Sequence, residues 1–449
     1  MHTLAQLRAG ELVGITRLQL AEDLTEFPEE IFTLADSLEI LDLSNNRLHS
    51  LPCDFHRLHR LKIVFASNNC FEQLPSVLGQ CSALEMIGFK ANQITHVPEA
   101  SLPLNTRWLI LTDNQITQLP DTIGRLSRLQ KLALAGNRLT QLPESMADCH
   151  ALELVRLSAN QLMQVPDWLF TLPRLAWLAL AGNPWCQTPL GEDVTPLTRD
   201  ADAVPVVDAA HITLTDVLGQ GASGVIYHGV WLNNLSDMPE TSNVAVKLFR
   251  GDVTSDGYPA DELATCLQAG THRNLIQVLA QLNQPEALGL VMELIPSDYR
   301  NLGLPPSLVT CTRDTFSAST HYSPETILTL AMQLADAMAH LHQNGVSHGD
   351  VYAHNIMFNE QSQLLFGDFG AATSLSRLPK KQQDGFEAIE VRAFGCLIDD
   401  LMSCSYDEER GSALALALDK LAVACMAPSV SLRPNFNELK CQLTKLSTH

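Results

Sequence analysis

The sequence predicts an α/β solenoid followed by a second domain of different grammar that handles phosphate. Three observations predict it: a 23-residue period through the first 186 residues, the loss of that period near His211, and a glycine-rich turn, an isolated lysine and an Asp/Asn/Asp set beyond it. A length of 449 residues suits one repeat array plus one ordinary domain.

The period begins with LEILDLSNNRL at Leu38 and recurs as LKIVFASNNCF, LEMIGFKANQI, TRWLILTDNQI, LQKLALAGNRL, LELVRLSANQL and LAWLALAGNPW. Its asparagines, Asn46, Asn69, Asn92, Asn114, Asn137, Asn160 and Asn183, are spaced 23, 23, 22, 23, 23 and 23 residues apart. Pro52, Pro75, Pro98, Pro120, Pro143 and Pro166 follow at a fixed offset, and a degenerate unit with Leu18, Leu20, Asp23 and Pro28 precedes them. Alternating leucines make a short strand with one buried face. One such strand cannot bury that face alone, so units stack into a parallel solenoid. The asparagine is expected to bond the backbone of each coil, and the proline to stop the regular structure on the outer side.

Function in such an array is expected at the outward strand positions. One column reads Ile40, Ile63, Met86, Trp108, Lys131, Leu154 and Trp177, and the next includes Phe65 and Ile110. Ile63, Phe65, Met86, Trp108, Ile110 and Trp177 are therefore expected as a partner-binding surface, whether the partner is another protein or the chain's own second half. The array ends at Gly182–Cys186, and an acidic, proline-bearing stretch over 187–210 reads as a linker.

From His211 the sequence changes. LGQGASGVIYHG places Gly219, Gly221 and Gly224 in GxGxxG spacing, and Val225, Ile226 and Tyr227 continue as a strand. That continuation predicts a hairpin over phosphates, since a dinucleotide fold would place a helix there. Lys247 in VAVKLF is the only lysine between Lys131 and Lys380, in the middle of an apolar strand. It suits a cation for nucleotide phosphates, held by Glu262 of the amphipathic helical stretch DELATCLQAG. VSHGDVYAHNIMF then supplies Asp350 and Asn355, and LLFGDFG supplies Asp368. These are hard oxygen donors in a pattern that suits Mg²⁺ and phosphate.

Residues 15–186 resemble the leucine-rich repeat family, and residues 210–447 resemble the eukaryotic-type protein kinase family. The resemblance implies an α/β leucine-rich repeat solenoid over 1–186 and an α+β two-lobed protein-kinase-like fold over 211–449, with an N-lobe at 211–295 and a C-lobe at 296–449. It implies that Gly219, Gly221 and Gly224 cover the phosphates of ATP, with Val225, Ala245, Met292, Glu293 and Ile295 also at the nucleotide. Lys247 would bind the α- and β-phosphates and pair with Glu262, Asp350 would orient or deprotonate the acceptor hydroxyl, and Asn355 and Asp368 would hold Mg²⁺. Arg433 matches the family's late arginine.

Several positions depart from the family pattern. Gly349 replaces the arginine that clamps a phosphorylated activation loop, so control by that phosphorylation is not expected. Tyr352 stands where the family has a lysine, no APE motif is visible, and EVRAFG at Glu390 follows Asp368 by only 22 residues. The expected function is an ATP- and Mg-dependent protein kinase, Ser/Thr type or autophosphorylating, with repeats that bind a protein partner. The alternatives are a pseudokinase-type scaffold and a small-molecule phosphotransferase. The 29 basic and 50 acidic residues, net −21, exclude a nucleic-acid binder and favour a basic or neutral protein substrate. Eleven cysteines without CxxC pairs read as reduced thiols. With no signal peptide at Met1–Gly10 and no membrane-length apolar run, the expected location is cytoplasmic. The Ser/Thr/Pro-rich stretch between Pro296 and Ser323 is expected as a plain surface insertion, and Pro324–Asn344 as a core helix.

Overall fold

Each repeat supplies a three-residue strand whose middle side chain points into the coil. The strands are β1 (Arg17–Gln19), β2 (Ile40–Asp42), β3 (Ile63–Phe65), β4 (Met86–Gly88), β5 (Trp108–Ile110), β6 (Lys131–Ala133), β7 (Leu154–Arg156) and β8 (Trp177–Ala179). The middle residues Leu18, Leu41, Val64, Ile87, Leu109, Leu132 and Val155 are fully buried. The computed structural model describes residues 2–186, 204–221, 224–232, 241–250, 254, 256–283 and 288–448. These form two compact units, one of residues 1–175 and 183–185 and one of residues 176–182 and 186–449.

In the first unit β1 to β7 pair in parallel and in sequence order, each first residue opposite the next: Arg17, Ile40, Ile63, Met86, Trp108, Lys131, Leu154. The asparagines build the expected ladder. Asn137 Nδ2 donates to Leu111 O and Leu134 O at 2.9 Å, and its Oδ1 accepts from Ile116 N at 3.0 Å. Asn114 and Asn160 repeat this one coil away. The residue before the ladder asparagine is left-handed in all seven coils: Asn45, Asn68, Ala91, Asp113, Gly136, Ala159 and Gly182. The prolines do more than stop structure: most stand at the N-cap of a 3₁₀ turn, and Pro75, Pro120 and Pro143 carbonyls accept from Leu78, Ile123 and Met146 N–H groups.

The second unit opens with a six-stranded sheet. Its strands are β9 (Val206–Asp208), β10 (Ile212–Gln220), β11 (Gly224–Leu232), β12 (Thr241–Phe249), β13 (Val278–Asn283) and β14 (Gly289–Glu293), in the order β10-β11-β12-β14-β13-β9. β9 comes from the stretch read as linker, and it pairs in parallel with β13; residues 187–203 of that stretch lie outside the described residues. Trp231, Val244, Val246, Ala280, Leu282 and Val291 form the core beneath the sheet.

A short helix, α1 (Leu4–Arg8), begins the chain, and the second unit carries α2 (Pro259–Ala269), α3 (Pro324–Gln343), α4 (Lys380–Ser403), α5 (Asp407–Arg410), α6 (Ala413–Cys425) and α7 (Phe436–Leu446). α3 runs as expected, with Ser323 capping Thr326 N and Pro324 in the first turn, and its apolar stripe is buried. α6 packs on α4 and α7 on α3. No helix among the described residues is long and apolar enough to cross a membrane.

The repeats carry one finding and the second unit one correction. The outward column of the repeats is not a solvated face: Ile63, Met86, Trp108 and Trp177 are buried, and Phe65 and Ile110 half-buried. Adjacent strands lie close enough for large side chains to lean on their neighbours. Lys131 Nζ sits 4.9 Å above the Trp108 ring, and the Phe65 ring fills the space beside Gly88. The stretch between Pro296 and Ser323 is not a plain surface loop either, since Leu302, Cys311, Thr312, Asp314 and Tyr322 are buried.

Candidate nucleotide and phosphotransfer site

The glycine-rich segment forms the expected hairpin. β10 and β11 pair antiparallel, and Gly221 N–H donates to Gly224 O at 3.0 Å across the tip; Ala222 and Ser223 lie outside the described residues. A Cβ at Gly224 would lie 2.3 Å from Leu248 O, so the third glycine is needed for β11 to approach β12.

Lys247 stands in the middle of β12, opposite Ile226 and Leu290, and is buried. Its ammonium forms an ion pair with Glu262 Oε1 of α2, itself only 4% exposed. Burial disfavours the charged lysine, but the charges of Glu262 and Asp368 outweigh it and raise the Lys247 pKa above the ordinary value. Lys247 therefore keeps its charge beside Glu262, and the Asp368 charge also acts on it. Ala245 sits opposite Met292 and Val244 opposite Glu293 in the β12–β14 register. Val225 and Ala245 are buried, Met292 and Ile295 partly so, and Glu293 is exposed. Met292 and Glu293 thus lie at the end of β14, the strand paired with that of Lys247.

In the loop after α3, Asn355 Nδ2 donates to Asp350 O at 3.0 Å and to Asp350 Oδ2 at 3.1 Å. This fixes the carboxylate and leaves the Asn355 amide oxygen for a cation. Asp368 is exposed and left-handed (φ 62°), with one long contact from Gly370 N at 3.4 Å. An amide oxygen and a carboxylate are the hard donors that Mg²⁺ takes together with waters and phosphate oxygens, so these residues fit it. Among the described residues no cluster of three or more His, Cys, Asp or Glu side chains is gathered for a metal. All eleven cysteines are free thiols.

The loop is held from several sides. His348 is fully buried between Phe366 and Phe369, and its Nε2–H donates to Gly367 O at 3.0 Å. Burial lowers its pKa, so it is neutral. Glu390 of α4 accepts from Gly349 N at 2.6 Å and meets His342 Nε2 at 2.6 Å. Arg433 donates to Ala427 O and Ala388 O.

Sequence reasoning missed Asp314. Its Oδ2 accepts from Ala353 N at 2.5 Å, and its Oδ1 meets His354 Nδ1 at 2.6 Å. Burial alone would lower the His354 pKa; the Asp314 hydrogen bond and charge, with Asp350 and Asp368, raise it instead. Arg313 beside it donates to Asp399, Asp400 and Cys396 O of α4. A signal was present: Arg313–Asp314 is the only charged pair between Arg300 and Glu325. Trp177, expected to meet another protein or the chain's own second half, lies in the second unit, 2% exposed, with Nε1–H donating to Val351 O at 3.1 Å.

Residues 212–407 match a family model described as protein tyrosine and serine/threonine kinase. Residues 104–162 and 127–184 match one leucine rich repeat model and residues 37–58 another. Among curated relatives, fibroblast growth factor receptor 1 of Dugesia japonica is 29% identical over 189 residues, 40% of this chain and 21% of that protein. CTD kinase subunit alpha of Schizosaccharomyces pombe is 28% identical over 159 residues, 35% of this chain and 24% of the relative. Cyclin-dependent kinase 12 of Caenorhabditis elegans is 25% identical over 274 residues, 54% of this chain and 34% of the relative. The chain thus spans about a fifth to a third of the length of these relatives.

Proposed function

Because the chain is a leucine-rich repeat protein with a protein kinase domain, we propose that it transfers the γ-phosphoryl group of ATP to serine or threonine hydroxyls of a protein, itself included. The observation that supports this best is the pairing of a buried Lys247–Glu262 bridge with an Asp350 carboxylate held by Asn355. Lys247 neutralises the α- and β-phosphates, and Gly219, Gly221 and Gly224 allow backbone to cover them. Val225, Ala245, Met292, Glu293 and Ile295 enclose the base. Asp350 orients the acceptor hydroxyl and takes its proton as the O–P bond forms and ADP leaves. Asn355 and Asp368 would hold Mg²⁺, which when bound offsets charge on the phosphate oxygens. The free thiols favour a reducing, cytoplasmic setting, and the repeats suit recognition of a protein partner.

The test is labelled ATP with Mg²⁺, the full chain, and one basic and one acidic generic protein, beside Asp350→Asn. Transfer to serine or threonine by the wild type, lost at least about 100-fold in the variant, is expected. Absence of any transfer, including to self, overturns the reading. A scaffold that binds nucleotide without turnover is the second reading, supported by the short path from Asp368 into α4 at Lys380, which leaves little chain for peptide docking. Nucleotide binding with no transfer selects it.

A further inference from the structure

Two departures from the kinase pattern flank Asp350, namely Gly349 before it and Tyr352 after it. One stretch of the second unit, Ala176–Gly182, meets both. The Trp177 ring lies flat on the Tyr352 ring, centroids 4.6 Å apart and planes within 4°, while its indole N–H donates to Val351 O at 3.1 Å. Gly349 is left-handed (φ +74°), and a Cβ there would stand 2.8 Å from Leu178 O and 2.6 Å from Ala371 O. Leu180 N–H donates to Thr373 Oγ1 at 3.2 Å, in the short strand after Asp368. A Cβ at Gly182 would lie 2.6 Å from both Asp261 Oδ2 and the Tyr258 ring, at the start of the helix that carries Glu262.

Four residues of this one stretch, Trp177, Leu178, Leu180 and Gly182, thus meet the loop of Asp350, the strand after Asp368 and the start of α2. We propose that Ala176–Gly182 is a built-in brace of the phosphotransfer centre, with Trp177 as a positioning residue that holds Val351 and Tyr352, and through them Asp350. The inference rests on the kinase reading of that centre. It accounts for both departures at once. A side chain at 349 is excluded by the backbone angle and by two carbonyl oxygens, so no arginine is available to clamp a phosphorylated segment. Tyrosine at 352 offers a flat face for the indole, which lysine lacks. The indole supplies both a ring face and a buried donor, so its two contacts fix the loop in position and in rotation. The centre is therefore assembled by a covalently attached strand in place of a phosphorylation event.

The test uses the full chain with Trp177→Ala and Trp177→Phe, the latter keeping a ring but losing the donor. Three quantities are read: transfer rate at saturating ATP and Mg²⁺, nucleotide affinity, and amide hydrogen exchange of residues 348–358. For Trp177→Ala the expected result is a kcat about 10- to 30-fold lower, nucleotide Kd within about twofold, and exchange of that loop about tenfold faster. Trp177→Phe, which keeps a ring but loses the donor to Val351 O, is expected to fall between the wild type and Trp177→Ala, with about threefold to fivefold loss of rate. Unchanged kcat and exchange in Trp177→Ala overturn the proposal, as does a loss of rate, affinity and loop protection in equal measure with no recovery in Trp177→Phe. Where the wild type itself transfers no phosphate, the kinase reading falls, and loop exchange alone decides the brace: faster exchange supports it and unchanged exchange refutes it. Where Trp177→Ala does not fold, Trp177→Phe alone carries the test, with about threefold to fivefold loss of rate expected from the missing hydrogen bond and no loss overturning the proposal.

Discussion

The two units bury polar side chains in opposite ways. In the solenoid one solution repeats: Asn69, Asn92, Asn114, Asn137, Asn160 and Asn183 each bond backbone of their own coil or the coil before. In the second unit each buried polar group is unique: Lys247 with Glu262, His348 with Gly367 O, Glu390 with Gly349 N, Asp314 with Ala353 N and His354. Repetition makes the energy of the first unit nearly additive and its positions equivalent. Uniqueness makes those of the second coupled, because several of its partners lie on one loop. The solenoid spends its buried polar groups on shape and the second unit spends them on holding Asp350.

The sharpest way to break this contrast is at Lys247. Lys247→Ala leaves the Glu262 carboxylate buried without its cation, and loss of nucleotide binding with at least about 100-fold loss of transfer is expected, read by thermal shift with ATP and Mg²⁺ and by label transfer. Gly349→Arg, which restores the family's residue, comes next. It forces a left-handed side chain against Leu178 O and Ala371 O, and about 2–5 kcal/mol of destabilisation is expected by denaturant titration. A variant as stable as the wild type would remove the steric account of that glycine.

Asn137→Ala strips the bonds to Ile116 N, Leu111 O and Leu134 O from the interior of the array. It is expected to cost about 3 kcal/mol, and Asn114→Ala and Asn160→Ala nearly the same; a spread as wide as that among second-unit variants would erase the contrast. The Asp314–His354 pair supplies a pH signature. Its folded pKa for His354 is raised, so the stabilisation is complete below the unfolded value near 6.5 and fades as pH rises through the folded value. The stability difference between wild type and Asp314→Asn should therefore be larger at pH 6 than at pH 9, by roughly 1–2 kcal/mol, the scale of a charged hydrogen bond. The smallest effect is at Ala159, left-handed at φ 54°. Ala159→Gly should raise stability by up to about 0.5–1 kcal/mol without touching transfer.

What was legible in the sequence follows the same divide. The solenoid could be read because Leu, Asn and Pro recur at fixed spacing, and each recurrence repeats one local solution. The pairing of Lys247 with Glu262 and of Asp350 with Asn355 could be read because the residue types that phosphate chemistry would need stand in a restricted pattern, each partner within one element of the other. The partners that shape the loop could not. Trp177 and Val351 are 174 positions apart, and Asp314 and Ala353 are 39 apart in different elements. Such pairs leave no period and no motif, since only the tertiary fold brings them together. The burial of Trp108 and Met86 was not legible for a related reason. Alternation along a strand says which side chains leave the coil, but not what lies over them.

The central claim is that the second unit is a working phosphotransfer centre whose binding and chemical residues are separable. Measuring nucleotide affinity and phosphoryl transfer in parallel for wild type, Lys247→Ala and Asp350→Asn tests it most directly. The account predicts that Asp350→Asn keeps nucleotide Kd within about twofold while losing transfer by at least about 100-fold, and that Lys247→Ala loses both. Transfer that survives in Asp350→Asn, or a wild type that binds nucleotide and transfers nothing, would contradict it.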